Sequence, residues 1–229
     1  MSTSGTFNFA PGLGEITIYA LNQCEIRSAA ILQEHMESAR MAANMMLGRW
    51  SSQGVNLWAV DLQSVALVQG QSTYTVSANT IAMLDSYVSF SSGGTQTNRL
   101  ITPISRSEYA AYPQPQQQGF PTVYWFDRLL SPTVTIWPVP PDNNSTLNYY
   151  RVRQIQDSAF TDGQGVEIPY YWLEAFALGL AYRLAIIWKP EKVALLKPLA
   201  DEAYMIASTQ NVETANMYIS PMTAGYFRT

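Results

Sequence analysis

Apolar positions change their period twice along the chain. From residue 15 to residue 57 they recur at helical spacing, and two helices are predicted there, a short one from about Glu15 to Arg27 and a longer one from about Ala30 to Gln53. In the longer one Leu32, Met36, Ala39, Ala43, Met46 and Trp50 follow one another at intervals of four and three, a single apolar stripe. Gln33, Glu37, Arg40, Asn44 and Ser51 fall on the opposite side. Ala39 and Ala43 are small enough to admit another helix closely, and Gly54 supplies a stop.

Between residues 58 and 168 the period becomes that of strands. The runs 65–68, 73–76, 86–90, 98–101, 123–126, 134–137 and 147–152 are short and rich in β-branched and aromatic residues. Gly70-Gln71, Ser92-Gly93-Gly94, Ser131-Pro132 and Pro140 to Asn144 separate them as turns. Residues 105–111 are predicted as a short helix that leads into Tyr112 to Gly119, a polar, proline-stiffened loop expected on the surface. Helix returns at Pro169, a favoured first position, and runs to Trp188 with apolar residues on every side. Pro190 opens the last helical segment, in which Leu196, Leu199, Ala203 and Ile206 repeat the stripe; Pro198 is predicted to kink or split it near Lys197.

These elements predict an α+β chain. Residues 1–57 and 169–211 form an antiparallel bundle of about four helices, and residues 58–168 form an inserted antiparallel β-sandwich or barrel. Residues 212–229 are left as an extended tail. Met217, Tyr218, Ile219, Met222, Tyr226 and Phe227 make that tail too apolar for a solvated linker, so it is expected to dock on a partner, with Arg228 among the docking residues.

Composition sharpens the picture. Of the 229 residues 47% are hydrophobic and only 13% charged, against roughly 25% charged in an ordinary soluble domain. Few charges together with 12% aromatic residues indicate a surface meant to be covered, as in an assembly subunit. The net charge of −4 argues against a dedicated nucleic-acid binder, and lysine occurs only at Lys189, Lys192 and Lys197. The first residues lack the basic and apolar regions of a signal peptide, so none is expected. The apolar stretch from Tyr170 to Trp188 contains Glu174 and Arg183, each costing ~3 kcal/mol at a membrane helix centre. It is read as a buried helix.

Candidate chemistry is sparse. His35 is the only histidine and Cys24 the only cysteine, which leaves too few ligands for a His- or Cys-based metal site and no disulfide framework. No cofactor is expected. His35 reads as a helix-interface or surface residue and Cys24 as a small core hydrophobe. Gly12-Leu13-Gly14 and Gly163-Gln164-Gly165 lack the context of a nucleotide fingerprint and read as loop glycines. Asp85, Glu108, Asp127, Asp157, Asp162 and Glu167 are the carboxylates from which a glycosidase pair could be drawn. Turn and loop capping explains most of them better. Tyr112, Phe120, Trp125, Trp137 and Tyr150 could form a sugar platform, so a carbohydrate-binding or carbohydrate-hydrolysing β-sandwich is the alternative function.

Several local signatures occur in a telling order. Trp50-Ser51-Ser52-Gln53-Gly54-Val55-Asn56-Leu57-Trp58 closes the second helix, and Val68 to Val76 follows as a first hairpin. Ile104-Ser105-Arg106-Ser107-Glu108-Tyr109 comes next, then Gly119-Phe120-Pro121 with Tyr124-Trp125 and Asp127-Arg128, then Ile136 to Asp142. Ile168-Pro169, Trp172 and Leu180 to Ala185 mark the returning helix. Over residues 15–211 this order resembles the head-to-tail adaptor proteins of short-tailed bacteriophages, the tail tubular protein A and tail-accessory-factor group. The resemblance implies a structural virion protein assembled in the host cytoplasm and no enzyme. It implies a homo-oligomeric ring of twelve between the portal protein and the tail nozzle protein, with genomic DNA passing through without sequence-specific binding and no membrane contact. On that basis the tail, with Met217 to Arg228, is expected to grip the portal or a neighbouring subunit. Tyr112, Pro113, Gln114 and Gln116 in one loop, and Pro140, Asp142 and Asn143 in another, are expected to face the nozzle or the adjacent subunit.

Overall fold

A computed structural model describes residues 3, 5–7, 9–54, 56–92, 95–161 and 165–212. The expected docking residues Met217, Tyr218, Ile219, Met222, Tyr226, Phe227 and Arg228, and the candidate Asp162, lie outside the described residues. The chain is α+β; the described residues form five α-helices and one curled, mixed seven-stranded sheet shaped as a half-barrel.

Helix α1 (Leu13–Gln23) stops short of the expected Arg27 because Glu25 takes a left-handed conformation at φ 61°. Ile26 N–H then donates to Leu21 O and Glu25 N–H to Asn22 O, both at 3.0 Å, which closes the last turn as a Schellman cap. Helix α2 (Gln33–Ser52) begins later than Ala30, since Ser28–Ala30 form a 3₁₀ turn and Leu32 is extended. The core stripe of α2 is as the spacing predicts from Ala39 to Trp50, whereas Leu32 is exposed. Two residues expected on its solvent side face inward instead. Asn44 Oδ1 accepts from Ser158 N–H at 2.7 Å, and Ser51 Oγ accepts from Ile155 N–H at 3.2 Å. Both hold the chain where it leaves the sheet.

The seven predicted strand runs correspond to β1 (Val60–Ala66), β2 (Thr73–Thr75), β3 (Thr80–Ser92), β4 (Thr95–Pro103), β5 (Val123–Asp127), β6 (Thr133–Trp137) and β7 (Ser145–Arg153). Instead of an antiparallel sandwich or barrel they make one sheet in the order β1-β7-β3-β4-β5-β6-β2. It is not purely antiparallel either, because β5 lies parallel to β4 through Thr102↔Val123 and Pro103↔Tyr124. The segment 104–122, with helix α3 (Arg106–Ala110) inside it, carries the chain back to the start of the next strand, as a parallel pairing requires and a hairpin cannot. Strand β7 alternates from Ser145 to Arg151, with Leu147, Tyr149 and Arg151 buried on one face, and Val152 on the other face is buried as well.

Helix α4 (Leu173–Trp188) follows a 3₁₀ turn at Tyr170–Trp172 and touches α1, α2 and α5 (Val193–Thr209). Of the kink or split expected at Pro198, the split does not occur, since α5 runs on through it. Pro198 and Ala194 are both exposed, so the carbonyl deprived of its partner faces water. Close approach is evident at Gly179, where a Cβ would meet Met46 Sδ at 2.7 Å. Two apolar clusters result. One gathers the inward faces of α1, α2, α4 and α5 around Trp50, Trp172 and Phe176; the other lines the sheet around Tyr74, Tyr124, Val134, Ile136, Leu147 and Tyr149.

Where the two meet, β1 and β7 carry a charged network. Asp61 and Arg151 are directly opposed in register. Arg151 Nε and Nη2 donate to the two Asp61 oxygens at 2.7 and 3.1 Å, and Nη1 donates to Asn79 Oδ1 and Thr80 Oγ1 at 2.7 and 3.0 Å. Arg153 forms a bidentate pair with Glu167, which also accepts Gln156 N–H at 2.8 Å. The hydrogen bond from Arg151 holds the Asp61 carboxyl below its ordinary range, and that from Arg153 does the same for Glu167.

Because both folded pKa values are depressed, this stabilisation is present above the unfolded values and is lost as pH falls through the folded ones. Stability is expected to fall as pH drops below the ordinary Asp and Glu values of 3.8 and 4.5. Removing one partner of a fully buried pair costs ~3–5 kcal/mol; with the Asp61 side chain 34% exposed, Asp61→Ala is expected to cost about 2 kcal/mol. Chemical denaturation at neutral and acid pH checks both, and the variant should show a shallower acid decline.

Candidate functional site

The sheet end holding the turns between strands brings the two predicted loops together. Gly119 N–H donates to Val139 O and Val139 N–H to Gln117 O, both at 2.9 Å. A third loop joins them: Gly70 N–H donates to Pro140 O at 3.0 Å, and Gln69 N–H to Asn143 Oδ1 at 2.7 Å. Tyr74 fixes this third loop by accepting Val68 N–H at 3.0 Å and donating to Gln71 O at 2.9 Å. Pro113, Gln114, Gln116, Asp142 and Asn143 are exposed. Pro140, expected with them, is buried beneath the loops, where its carbonyl accepts Gly70 N–H.

Tyr112 is half-buried because its ring stacks on Trp137, with centroids 4.0 Å apart and planes 12° apart. Trp137 Nε1 donates to Gln114 O at 3.0 Å. Tyr109 bridges this pair to Trp125, at 6.4 Å from Tyr112 and 6.0 Å from Trp125. Phe120 packs on Phe90 at 4.9 Å and lies under the Arg99 guanidinium at 5.1 Å. Of the aromatics proposed as a sugar platform, Tyr112 and Trp137 stack on each other, Trp125 packs beside Tyr109 and Phe120 on Phe90, and Tyr150 alone among them is exposed.

Among the other candidates, Glu108, Glu167, His35, Cys24, Gly12 and Gly165 have structural partners. Ser105 Oγ accepts Glu108 N–H at 3.1 Å and the Glu108 carboxylate accepts Ser105 N–H at 2.6 Å, a capping box that starts α3. Glu167 belongs to Arg153. His35 is buried; its Nδ1 accepts Leu32 N–H at 3.0 Å at the start of α2, and its ring packs on Trp188 at 4.4 Å. Cys24 is fully buried, donates to Ala181 O at 3.3 Å, and burial pushes its thiol up to about 11. Gly12 and Gly165, from the two glycine fragments, meet in an antiparallel bridge. Among the described residues no group of His, Cys, Asp and Glu could hold a metal ion.

What the stripe reading missed lies on the outside of the helices. Met41 and Met45 of α2 and Ile186 and Ile187 of α4 are 51–60% exposed. With Arg183 they line a groove of about 490 Å³. On α5 the expected stripe is buried only at Leu196 and Ala203; Leu199 and Ile206 are exposed and, with Leu195 and Met205, leave its outer side apolar as well. The all-round apolarity of Tyr170 to Trp188 was the available signal, read as burial alone. No helix is long and apolar enough among the described residues to cross a membrane.

Open apolar helical faces beside a looped sheet end, on a charge-poor chain, define a subunit of a larger assembly. A family model described as SU10 adaptor protein matches residues 19–222, and the chain belongs to that family of phage head-to-tail adaptors, which are structural proteins of the virion. Curated proteins give no match.

Trp137→Ala should free the Tyr112 ring and the Gln114 carbonyl together. A loss of about 2 kcal/mol is expected, below the ~3–5 kcal/mol of a fully buried tryptophan, together with faster proteolysis within residues 112–119. Unchanged cleavage there would show that the loop is held by its backbone bonds alone.

Proposed function

We propose that the chain is the ring-forming adaptor between the portal and the tail nozzle of a short-tailed phage, and that it acts structurally, without catalysis. Membership of the adaptor family over residues 19–222 carries this reading, and the charge-poor composition with open apolar helical faces supports it. On this reading twelve copies close around a channel through which genomic DNA passes. A net charge of −4 suits a lumen that must not hold phosphates. Assembly takes place in the host cytoplasm.

The two apolar clusters correspond to a division of labour. The helical part, residues 1–57 and 169–211, meets the portal, while the sheet part, residues 58–168, carries the loop end toward the nozzle or the adjacent subunit. Residues 212–229 grip the portal through Met217, Tyr218, Ile219, Met222, Tyr226, Phe227 and Arg228. Ordering such a segment on a partner costs conformational entropy, which the burial of its apolar side chains offsets.

Native mass measurement of the purified chain, alone and mixed with the portal ring of the same genome, tests the reading. A ring complex that forms with the portal is expected; a chain that stays monomeric beside the portal overturns it. Deleting residues 212–229 should leave the monomer's thermal unfolding unchanged and abolish portal attachment. Normal attachment by the shortened chain would remove the tail from the contact.

A further inference from the structure

The open groove between α2 and α4 contains a cation that has no hydrogen-bond or ion-pair partner among the described residues. Arg183 lines it beside Met41, Met45, Ile186 and Ile187, and among the described residues its guanidinium makes no hydrogen bond or ion pair. Burial, and then the charge of nearby Arg49, push Arg183 below the usual arginine range. Glu37, also on the groove, instead accepts from Gln33 Nε2 at 2.9 Å. The site thus asks for apolar side chains and one carboxylate together.

Helix α5 presents that combination. Leu195, Leu199, Glu202 and Ile206 follow at intervals of four, three and four, one exposed stripe with an acid in its middle. The Glu202 carboxylate has no hydrogen bond or ion pair among the described residues. The groove and the stripe cannot meet within one chain. Asp201 and Tyr204 turn toward α2, lining a cavity with Arg49 and Arg183. At 100° per residue the stripe is centred about 160° around the helix from them, with Glu202 at its near edge.

We infer that the α5 stripe of one copy seats in the α2/α4 groove of the next, with Glu202 against Arg183. Two different patches joined in this way make a head-to-tail contact, which repeats around a ring instead of stopping at a dimer. The inference rests on the adaptor reading and names the contact that would close the ring.

Disulfide trapping in the portal-bound assembly tests it. Cys24 is fully buried and its thiol sits at about 11, so it stays silent. Met45→Cys and Leu199→Cys chains, mixed with the portal ring and air-oxidised, should give linked dimers. Either variant alone should give none, and a chain with both should give a ladder. Assembly without mixed dimers, dimers from a single variant, or links to the portal chain overturn the contact and leave the adaptor reading standing. No assembly with the wild-type chain overturns both. Leu199→Asp, at an exposed position, should leave monomer unfolding unchanged and reduce ring yield about tenfold. Glu202→Arg should do likewise and be rescued by Arg183→Glu; an undiminished ring yield with Leu199→Asp rejects the contact.

Discussion

Arg151 keeps only 5% of its surface in water, and a cation so withdrawn is tolerated only when its donors are matched by acceptors in fixed places. Asp61 across the β1–β7 ladder supplies two, Asn79 and Thr80 before and at the start of β3 supply two more. The guanidinium therefore fixes three neighbouring strands at the point where the chain passes from sheet to helices. Arg153 and Glu167 extend the constraint toward the segment that enters α4, and Asn44 and Ser51 of α2 hold the same exit at Ser158 and Ile155. The two apolar clusters are joined by polar bonds of defined direction, which permit one relative placement where apolar contact alone would permit several.

How far the sequence discloses this depends on whether the deciding interaction is local. The α2 stripe from Ala39 to Trp50 and the seven strand runs follow from period and composition, both local properties. The capping box of Ser105 and Glu108 also lies within four residues. The parallel β4–β5 pairing, in contrast, is decided by where the segment 104–122 leads the chain, and Asp61 meets Arg151 across ninety positions. Nothing near Asp61 distinguishes it from a solvated strand carboxylate. Asn44 and Ser51 were misplaced for the same reason: polarity in a helical repeat implies water unless a distant backbone group claims the side chain. Of the candidate site, the loops 112–119 and 138–144 were legible as turns, but their pairing through Gly119 and Val139 was not, and neither was the role of Pro140 beneath them.

The outer faces of the helices pose a different physical problem. Met41, Met45, Ile186 and Ile187 cannot improve the monomer's core, since the inward positions of α2 and α4 are already filled by Ala43, Met46, Leu180 and Leu184. Their exposure is a cost in the free chain that burial on assembly removes. A chain with only 13% charged residues has little else with which to keep such faces apart in solution, so contact with the correct partner must compete with nonspecific association.

Directional polar groups settle that competition. An apolar groove accepts any apolar ridge, whereas a half-buried arginine lacking a counter-ion rejects a ridge that brings no carboxylate, because closing the contact would desolvate the charge without compensation. Glu202 in the α5 stripe meets that demand, and a second methionine or isoleucine stripe would not. The same logic operates twice in the molecule: Asp61 selects the register of β1 on β7 inside the fold, and on the proposed contact Glu202 selects the register of one copy on the next. Since the junction around Arg151 holds sheet and helices in one placement, the angle set at the helical contact is carried to the loop end at residues 112–119 and 138–144, so that register chosen on one face determines the spacing of the other.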